Sequence, residues 1–145
     1  MRPPLSETKG NEKHQLRIIF EDDLIPETEA IIISDFSNWQ PLFDLYLVAE
    51  ELIVTIEVPG VEVRDFSICI GKFYMTIEGI RKSPAMLHKN NCIFHNLEIP
   101  YGRFHRRIDF PVPVELRRYK YKLENGIFTI RFPIIKERII PIEEE

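Results

Sequence analysis

The sequence predicts an all-β protein with an antiparallel β-sandwich. From Phe43 onward, apolar and polar residues alternate with period two in short runs that end at turn residues, and no run has the period of a helix of ordinary length. The strongest local signal is Asn125-Gly126, which lies between two alternating segments and predicts a tight β-hairpin. The predicted strands recur about every ten residues, a spacing that is typical of sandwiches.

Each predicted strand is a run of alternating apolar and polar residues, and most of these runs end before a proline or a glycine. After a start at Leu45 and Leu47, the runs are 52–58 before Pro59-Gly60, 66–70 before Gly71, 73–78 before Gly79, 104–110 before Pro111, and the hairpin strands 119–123 and 128–132. In the run 52–58, Leu52, Val54, Ile56 and Val58 share one face, because residues two apart project to the same side of a strand. That face is predicted to line the core.

Before the first predicted strand, charged stretches alternate with short groups of apolar residues, which we call apolar islands. Residues 1–15 are polar and are expected to be disordered. The apolar islands that follow are Leu16, Ile18, Ile19, Phe20, Leu24, Ile25, Ile31, Ile32, Ile33 and Phe36. They either pack onto the domain as short strands or a helix, or form a mobile arm that offers apolar patches to partners. Their mixed periodicity leaves both interpretations open.

The connection between Arg81 and Tyr101 is longer than a compact domain normally tolerates without a purpose. Within it, residues 92–99 alternate well enough to form a strand. A strand on a long tether pairs either with its own sheet or with a neighbouring subunit, since edge strands offer unpaired donors and acceptors. The sequence alone does not choose between them.

The segment Ile140-Pro141-Ile142 precedes three glutamates, residues 143–145. In an extended chain Ile140 and Ile142 project to the same side. The proline between them lacks a backbone donor, which suits a sheet edge. The segment is a closing edge strand, a frayed end, or a peptide that docks in an apolar groove, and taken alone it favours the first two interpretations.

Composition limits the class of protein. The 145 residues, 44% of them hydrophobic, suffice for one domain of about 100 residues plus arms. A net charge of −4 and a pI near 5.6 argue against nucleic acid as the main partner. No apolar run reaches the roughly 18 residues of a membrane span, so we expect a cytoplasmic protein without a membrane partner. Cys69 and Cys92 lack metal-type spacing and are expected to be reduced thiols.

A catalytic or metal centre is not expected. His88, Cys92, His95 and His105 match no closed zinc pattern, and no carboxylate is placed to orient a catalytic histidine. Phosphate-binding and dinucleotide-binding motifs are absent from the sequence. We therefore expect no enzyme activity, no metal and no cofactor.

Six short motifs follow one another in a fixed order. They are Trp39-Gln40-Pro41 with Asp44-Leu45-Tyr46, Pro59-Gly60-Val61, Thr76-Ile77-Glu78-Gly79 with Arg81, Tyr101-Gly102-Arg103-Phe104-His105-Arg106 up to Phe110-Pro111, Glu124-Asn125-Gly126-Ile127-Phe128, and Ile140-Pro141-Ile142. Together they resemble the successive signatures of the α-crystallin domain of small heat-shock proteins, which implies an immunoglobulin-like antiparallel β-sandwich. Each motif is weak by itself, whereas all of them in register are specific.

The resemblance implies an ATP-independent holdase chaperone that binds partly unfolded proteins and assembles from dimers into homo-oligomers. It divides the chain into an N-terminal arm, 1–42, an α-crystallin domain, 43–134, and a C-terminal extension, 135–145, with the Ile-Pro-Ile motif. The apolar islands of the arm would bind client proteins. The alternative is a co-chaperone-like sandwich that docks on a single larger partner as an interaction module.

The resemblance also implies a dimer contact through the segment 92–99, which would cross to the partner subunit. The expected interface residues are Cys92, Ile93, Phe94, Leu97, Glu98 and Arg106. Glu98 and Arg106 would pair across the interface, a contact that is worth little if exposed and costly to break if buried. Ile99 stands where the family often has an arginine, so we expect a less charged contact here.

A second implied contact places Ile140 and Ile142 in an apolar groove at a sheet edge of another subunit. The groove candidates are Ile68, Ile70, Tyr119, Tyr121 and Leu123. Fully burying an isoleucine yields about 1.5–3 kcal/mol, so the contact is expected to be weak and exchangeable. The groove strand is flanked by the basic residues Arg117, Arg118, Lys120 and Lys122. These residues and the acidic residues 143–145 are expected to lie close together and to make assembly weaken with salt, unless those glutamates only solubilise the terminus.

Overall fold

A computed structural model describes residues 16–23 and 38–136. Within these residues the chain forms eight strands and no α-helix. The strands are β1 (Arg17–Phe20), β2 (Phe43–Val48), β3 (Glu51–Glu57), β4 (Phe66–Ile70), β5 (Tyr74–Arg81), β6 (Gly102–Asp109), β7 (Lys120–Glu124) and β8 (Ile127–Pro133). No helix among the described residues is long and apolar enough to cross a membrane.

The strands pair into two four-stranded sheets, ordered β1-β4-β5-β6 and β2-β3-β8-β7. Every pair of neighbours is antiparallel except β1 and β4, which run parallel. The predicted antiparallel sandwich is therefore confirmed. The β7–β8 hairpin turns at Asn125 and Gly126, whose φ angles of 53° and 77° match the primed turn that an Asn-Gly pair favours.

The core lies between the two sheets and is rich in phenylalanine. The predicted inner face of β3 is correct, since Leu52, Val54 and Ile56 have no exposed surface. Phe66 of β4 meets Phe128 of β8 edge to face, with ring centroids 5.1 Å apart. Such contacts join one sheet to the other and add to the free energy that apolar burial supplies.

The strand predicted over residues 73–78 differs in its bounds from the observed β5. It was expected to stop at Gly79, but β5 continues to Arg81. Gly79 lies opposite both Phe66 and Phe104, and a Cβ there would approach the Phe66 Cβ to 2.5 Å. The glycine therefore allows close packing instead of ending the strand. At the other end, Phe73 lies before β5 and is 55% exposed.

Part of the predicted N-terminal arm belongs to the sandwich, because β1 pairs with β4. Trp39, also inside the predicted arm 1–42, forms a bridge with Phe104. The remaining predicted arm residues, Leu24, Ile25, Ile31, Ile32, Ile33 and Phe36, lie outside the described residues, as do Ile140, Pro141 and Ile142. The division of the chain at residues 42 and 134 stays a prediction.

Candidate assembly interface

The five residues predicted to form a tail-receiving groove lie around one apolar cluster. Ile68 and Ile70 of β4 are buried in the core, while Tyr119, Tyr121 and Leu123 are partly buried and pack against it. The rings of Tyr119 and Tyr121 stack with centroids 6.3 Å apart. Burial and the neighbouring Tyr121 raise the pKa of Tyr119. We call the surface formed by these five residues the β4 groove.

The β4 groove is occupied by the chain's own residues 16–20. In the parallel pairing, Ile18 lies opposite Ile68 and Phe20 lies opposite Ile70. Both residues pack against the core, and the Phe20 ring is 6.2 Å from that of Tyr119. Of the two interpretations that the sequence left open, this part of the arm packs as a short strand. Its client-binding role stays a prediction.

The acidic turn Glu21–Asp23 holds the end of β1 in place. Asp22 accepts two hydrogen bonds from the Arg117 guanidinium, at 2.9 and 3.0 Å, and Asp23 accepts a third at 3.2 Å. The same guanidinium lies 4.5 Å from the centre of the Phe20 ring. The hydrogen bond from Arg117 lowers the pKa of Asp22. Sequence reasoning placed Arg117 beside the groove but missed this partner.

The connecting loop, residues 82–101, leaves its apolar side chains uncovered. Ile93 is 80% exposed, and Phe94 and Leu97 are each more than half exposed. The segment 92–99 forms no strand and pairs with neither sheet of the single chain. Cys92 is half-buried and unpaired with the other cysteine. The predicted interface residues of this loop are therefore available at the surface.

An open strand edge complements this loop. In the described sheets β2 has a neighbour on one side only, β3. Tyr46, Leu47 and Val48 on β2 are exposed although they are large and apolar. An edge with free backbone donors and acceptors and exposed apolar side chains is suited to pair with another strand.

Glu98 and Arg106 do not meet within one chain. Glu98 accepts a hydrogen bond from Asn96 at 2.6 Å and lies at the surface. Arg106 lies over the Phe43 ring at 4.6 Å and donates to the Pro41 carbonyl at 3.3 Å. The arginine is therefore held at the beginning of β2, the open edge. The predicted pairing of the two residues across a dimer stays a prediction.

Arg81 fixes the base of the connecting loop, a role that sequence reasoning missed. Its side chain is buried, and it donates to the carbonyls of Pro100, at 2.9 Å from Nε, and Pro59, at 3.1 Å from Nη1. Its guanidinium also stacks on Trp39 at 4.0 Å. The available signal was an arginine immediately before a long loop, at the end of a strand with a buried face.

His88 and Cys69 lie in separate environments. His88 is hydrogen-bonded to Ser83 at 2.6 Å, and Cys69 is buried in β4. Within residues 16–23 and 38–136, no group of three or more His, Cys, Asp or Glu residues is arranged to hold a metal ion.

Within the described residues, the chain's own β1 covers the edge of β4, β2 has no neighbour on one side, and the loop 82–101 exposes apolar side chains. These features indicate a protein that associates through strand edges. The Hsp20/alpha crystallin family profile matches residues 47–143, more than half of the chain. The chain belongs to the Hsp20/alpha crystallin family, and the predicted resemblance is confirmed.

Relatives with this family's names match about half of the chain. Small heat shock protein C2 of Rickettsia felis is 31% identical over 78 residues, which are 54% of this chain and 49% of that protein. A 22.7 kDa class IV heat shock protein of Pisum sativum is 30% identical over 79 residues, covering 54% and 39%. The match therefore spans about half, or less, of the length of these relatives.

Solved structures agree with the fold. Heat shock protein 16.0 of Schizosaccharomyces pombe is similar with a TM-score of 0.61 at 22% identity, covering 72% of this chain and 99% of that chain. The hspA protein of Xanthomonas axonopodis is similar with a TM-score of 0.59 at 26% identity, covering 68% and 96%. Family and fold together support a chaperone role of the small heat shock type.

Proposed function

We propose that the chain is an ATP-independent holdase that binds partly unfolded proteins and assembles from homodimers into larger homo-oligomers. Two observations carry this proposal: the apolar side chains of segment 92–99 are exposed, and β2 has no neighbour on one side within the described sheets. A surface of this kind on a single chain indicates a partner, because large exposed apolar patches mark interaction sites. Membership in the Hsp20/alpha crystallin family supports the same conclusion.

In the proposed dimer, each subunit's segment 92–99 pairs with β2 of the other subunit. Such an exchange satisfies the free donors and acceptors of β2 and covers Tyr46, Leu47 and Val48. Glu98 of one subunit would then approach Arg106 of the other, which is already held at the beginning of β2. The larger assembly would form when Ile140 and Ile142 dock in the β4 groove of another subunit.

Client proteins would be bound by the apolar islands of the arm. These residues alternate with acidic stretches, so they can offer apolar surface to an unfolded chain while the acidic residues keep the arm soluble. The association is proposed to be reversible and to consume no nucleotide.

The test is light scattering of a thermally aggregating enzyme, mixed with the full-length chain in the absence of nucleotide. We expect suppression of aggregation near one subunit per client and no change when ATP is added. Replacing Ile31, Ile32 and Ile33 with serine should weaken the suppression, because it removes apolar surface from the arm. The matched control replaces the same three residues with leucine and should suppress as the native chain does.

An unsuppressed aggregation curve would contradict the holdase proposal. Together with a strictly monomeric mass, it would favour the co-chaperone-like module that docks on a single larger partner. Equal suppression by the serine and leucine variants would instead remove these arm residues from the client site.

A further inference from the structure

The arm and the tail of this chain carry the same six-residue pattern. Ile18-Ile19-Phe20 is followed by Glu21–Asp23, and Ile140-Pro141-Ile142 is followed by the glutamates 143–145. In both segments two apolar residues, two positions apart, precede three acidic residues. In an extended chain the apolar pair of each segment projects to one side.

The arm copy of the pattern already lies in the β4 groove. Ile18 and Phe20 occupy the positions opposite Ile68 and Ile70 and pack against the core. Ile19, between them, points away from the core and is 38% exposed. The side chain of residue 19 therefore lies outside the apolar contact, at the place in the pattern where the tail carries Pro141.

The acidic half of the pattern has its own receptor. Arg117 binds Asp22 through both of its terminal nitrogens and Asp23 through one of them. Glu21 accepts a hydrogen bond from the backbone nitrogen of Lys72 at 3.4 Å. The groove thus recognises an apolar pair and, directly after it, a run of carboxylates.

We propose that residues 18–23 are an internal substitute for residues 140–145 and that the two segments compete for the β4 groove. This inference rests on the proposed docking of the tail. The edge of β4 offers one row of backbone donors and acceptors, so it pairs with only one of the two segments at a time. The tail docks in the direction of β1, with Ile140 in the place of Ile18.

The competition links assembly to the exposure of the arm. Each tail that docks in a groove displaces one β1, which uncovers Ile18 and Phe20. With the tail absent, those two side chains stay covered. The β4 groove therefore acts as a switch between a closed subunit and an assembled subunit with a free arm.

The test measures how tightly the groove binds the tail when the arm is weakened. The receptor is the full-length chain with I140S and I142S, and the probe is a fluorescein-labelled peptide of residues 136–145, followed by anisotropy. Adding I18S and F20S should tighten binding by about tenfold or more, because a site that is free only part of the time loses apparent affinity by that fraction. Adding I19S alone is the matched control and should leave binding unchanged.

A second variant leaves the apolar contacts in place. Adding D22N and D23N to the receptor removes only the ion pairs to Arg117, so tail binding should tighten by about twofold to fivefold at low salt and by less at high salt. This variant carries the test if the double serine variant does not fold, which circular dichroism will reveal.

Two results would overturn the proposal in distinguishable ways. Equal binding by the unaltered receptor and by both arm variants would show that arm and tail do not compete, while tail docking itself would stand. If none of the receptor variants bound the peptide, the proposed docking of the tail would be wrong, and so would the competition that depends on it.

Discussion

Arg117 is the residue on which the position of the arm depends most directly. It contacts the Phe20 ring and two carboxylates, although its side chain is about half exposed. Exposed ion pairs contribute little to stability individually and are screened by salt. Arg117 therefore biases the arm toward the groove without locking it there, as a reversible switch requires.

The pKa of the Asp22 carboxyl depends on its contact with Arg117 and can be used to detect that contact. Its pKa is lowered by the hydrogen bond from Arg117, so the contact is present at neutral pH and is lost only as the pH falls through the lowered pKa. We predict that R117Q raises the pKa of Asp22 toward its ordinary value, as measured by NMR titration of the carboxyl carbon. R118Q, which removes a neighbouring charge that is not bonded to Asp22, is the control. An unchanged pKa in R117Q would show that the arm does not rest on Arg117.

At the scale of elements, the buried Arg81 joins the end of β5 to the connecting loop that leads into β6. Its guanidinium bonds the carbonyl of Pro100, near the end of the connecting loop, and the carbonyl of Pro59, in the turn after β3. The planar fork of arginine reaches both acceptors, whereas the single ammonium of lysine does not.

We predict that R81K lowers the free energy of unfolding by about 1–3 kcal/mol, because the buried cation at position 81 loses at least one of its hydrogen-bond acceptors. Urea unfolding of the full-length chain measures the difference. R103K, an exposed arginine on the neighbouring β6, should change the stability by less than about 0.5 kcal/mol. Equal stability of the two variants would contradict the role assigned to Arg81.

The sequence predicts those elements that depend on local pattern. The inner face of β3 and the turn at Asn125-Gly126 follow from alternation and turn chemistry within a few residues. β1 was not predictable, because four residues with three apolar side chains in a row fit several structures, and its partner β4 lies far along the chain. The bounds of β5 were misjudged because Gly79 was taken as a stop, whereas the structure uses it for close packing.

The candidate site was predictable in its parts but not in its arrangement. The groove residues and the loop segment 92–99 were identified from the family resemblance and its alternating pattern. That the groove is filled by residues 16–20 depends on a long-range pairing that no local pattern reports. The pairing of segment 92–99 depends on a second chain, which a single sequence cannot supply.

At the scale of the whole molecule, the two described sheets differ in whether the edges of β4 and β2 are covered by another strand. The edge of β4 is covered by β1, whereas the edge of β2 has no neighbouring strand among the described residues. Edge strands that lack protection are sites of association. The structure therefore favours a subunit that pairs through β2 at once and through β4 only after its arm has moved.

The measurement that tests this account most directly is the native mass of the full-length chain, compared with that of F94D/L97D. These two substitutions place charges in the proposed dimer contact, where an unpaired carboxylate is costly to bury. M86D is the control, because Met86 lies in the same loop and is 67% exposed but precedes the segment 92–99. We predict a dimer or an even multiple for the native chain and for M86D, and a monomer for F94D/L97D. A monomeric native chain, or an unchanged mass in F94D/L97D, would contradict the account.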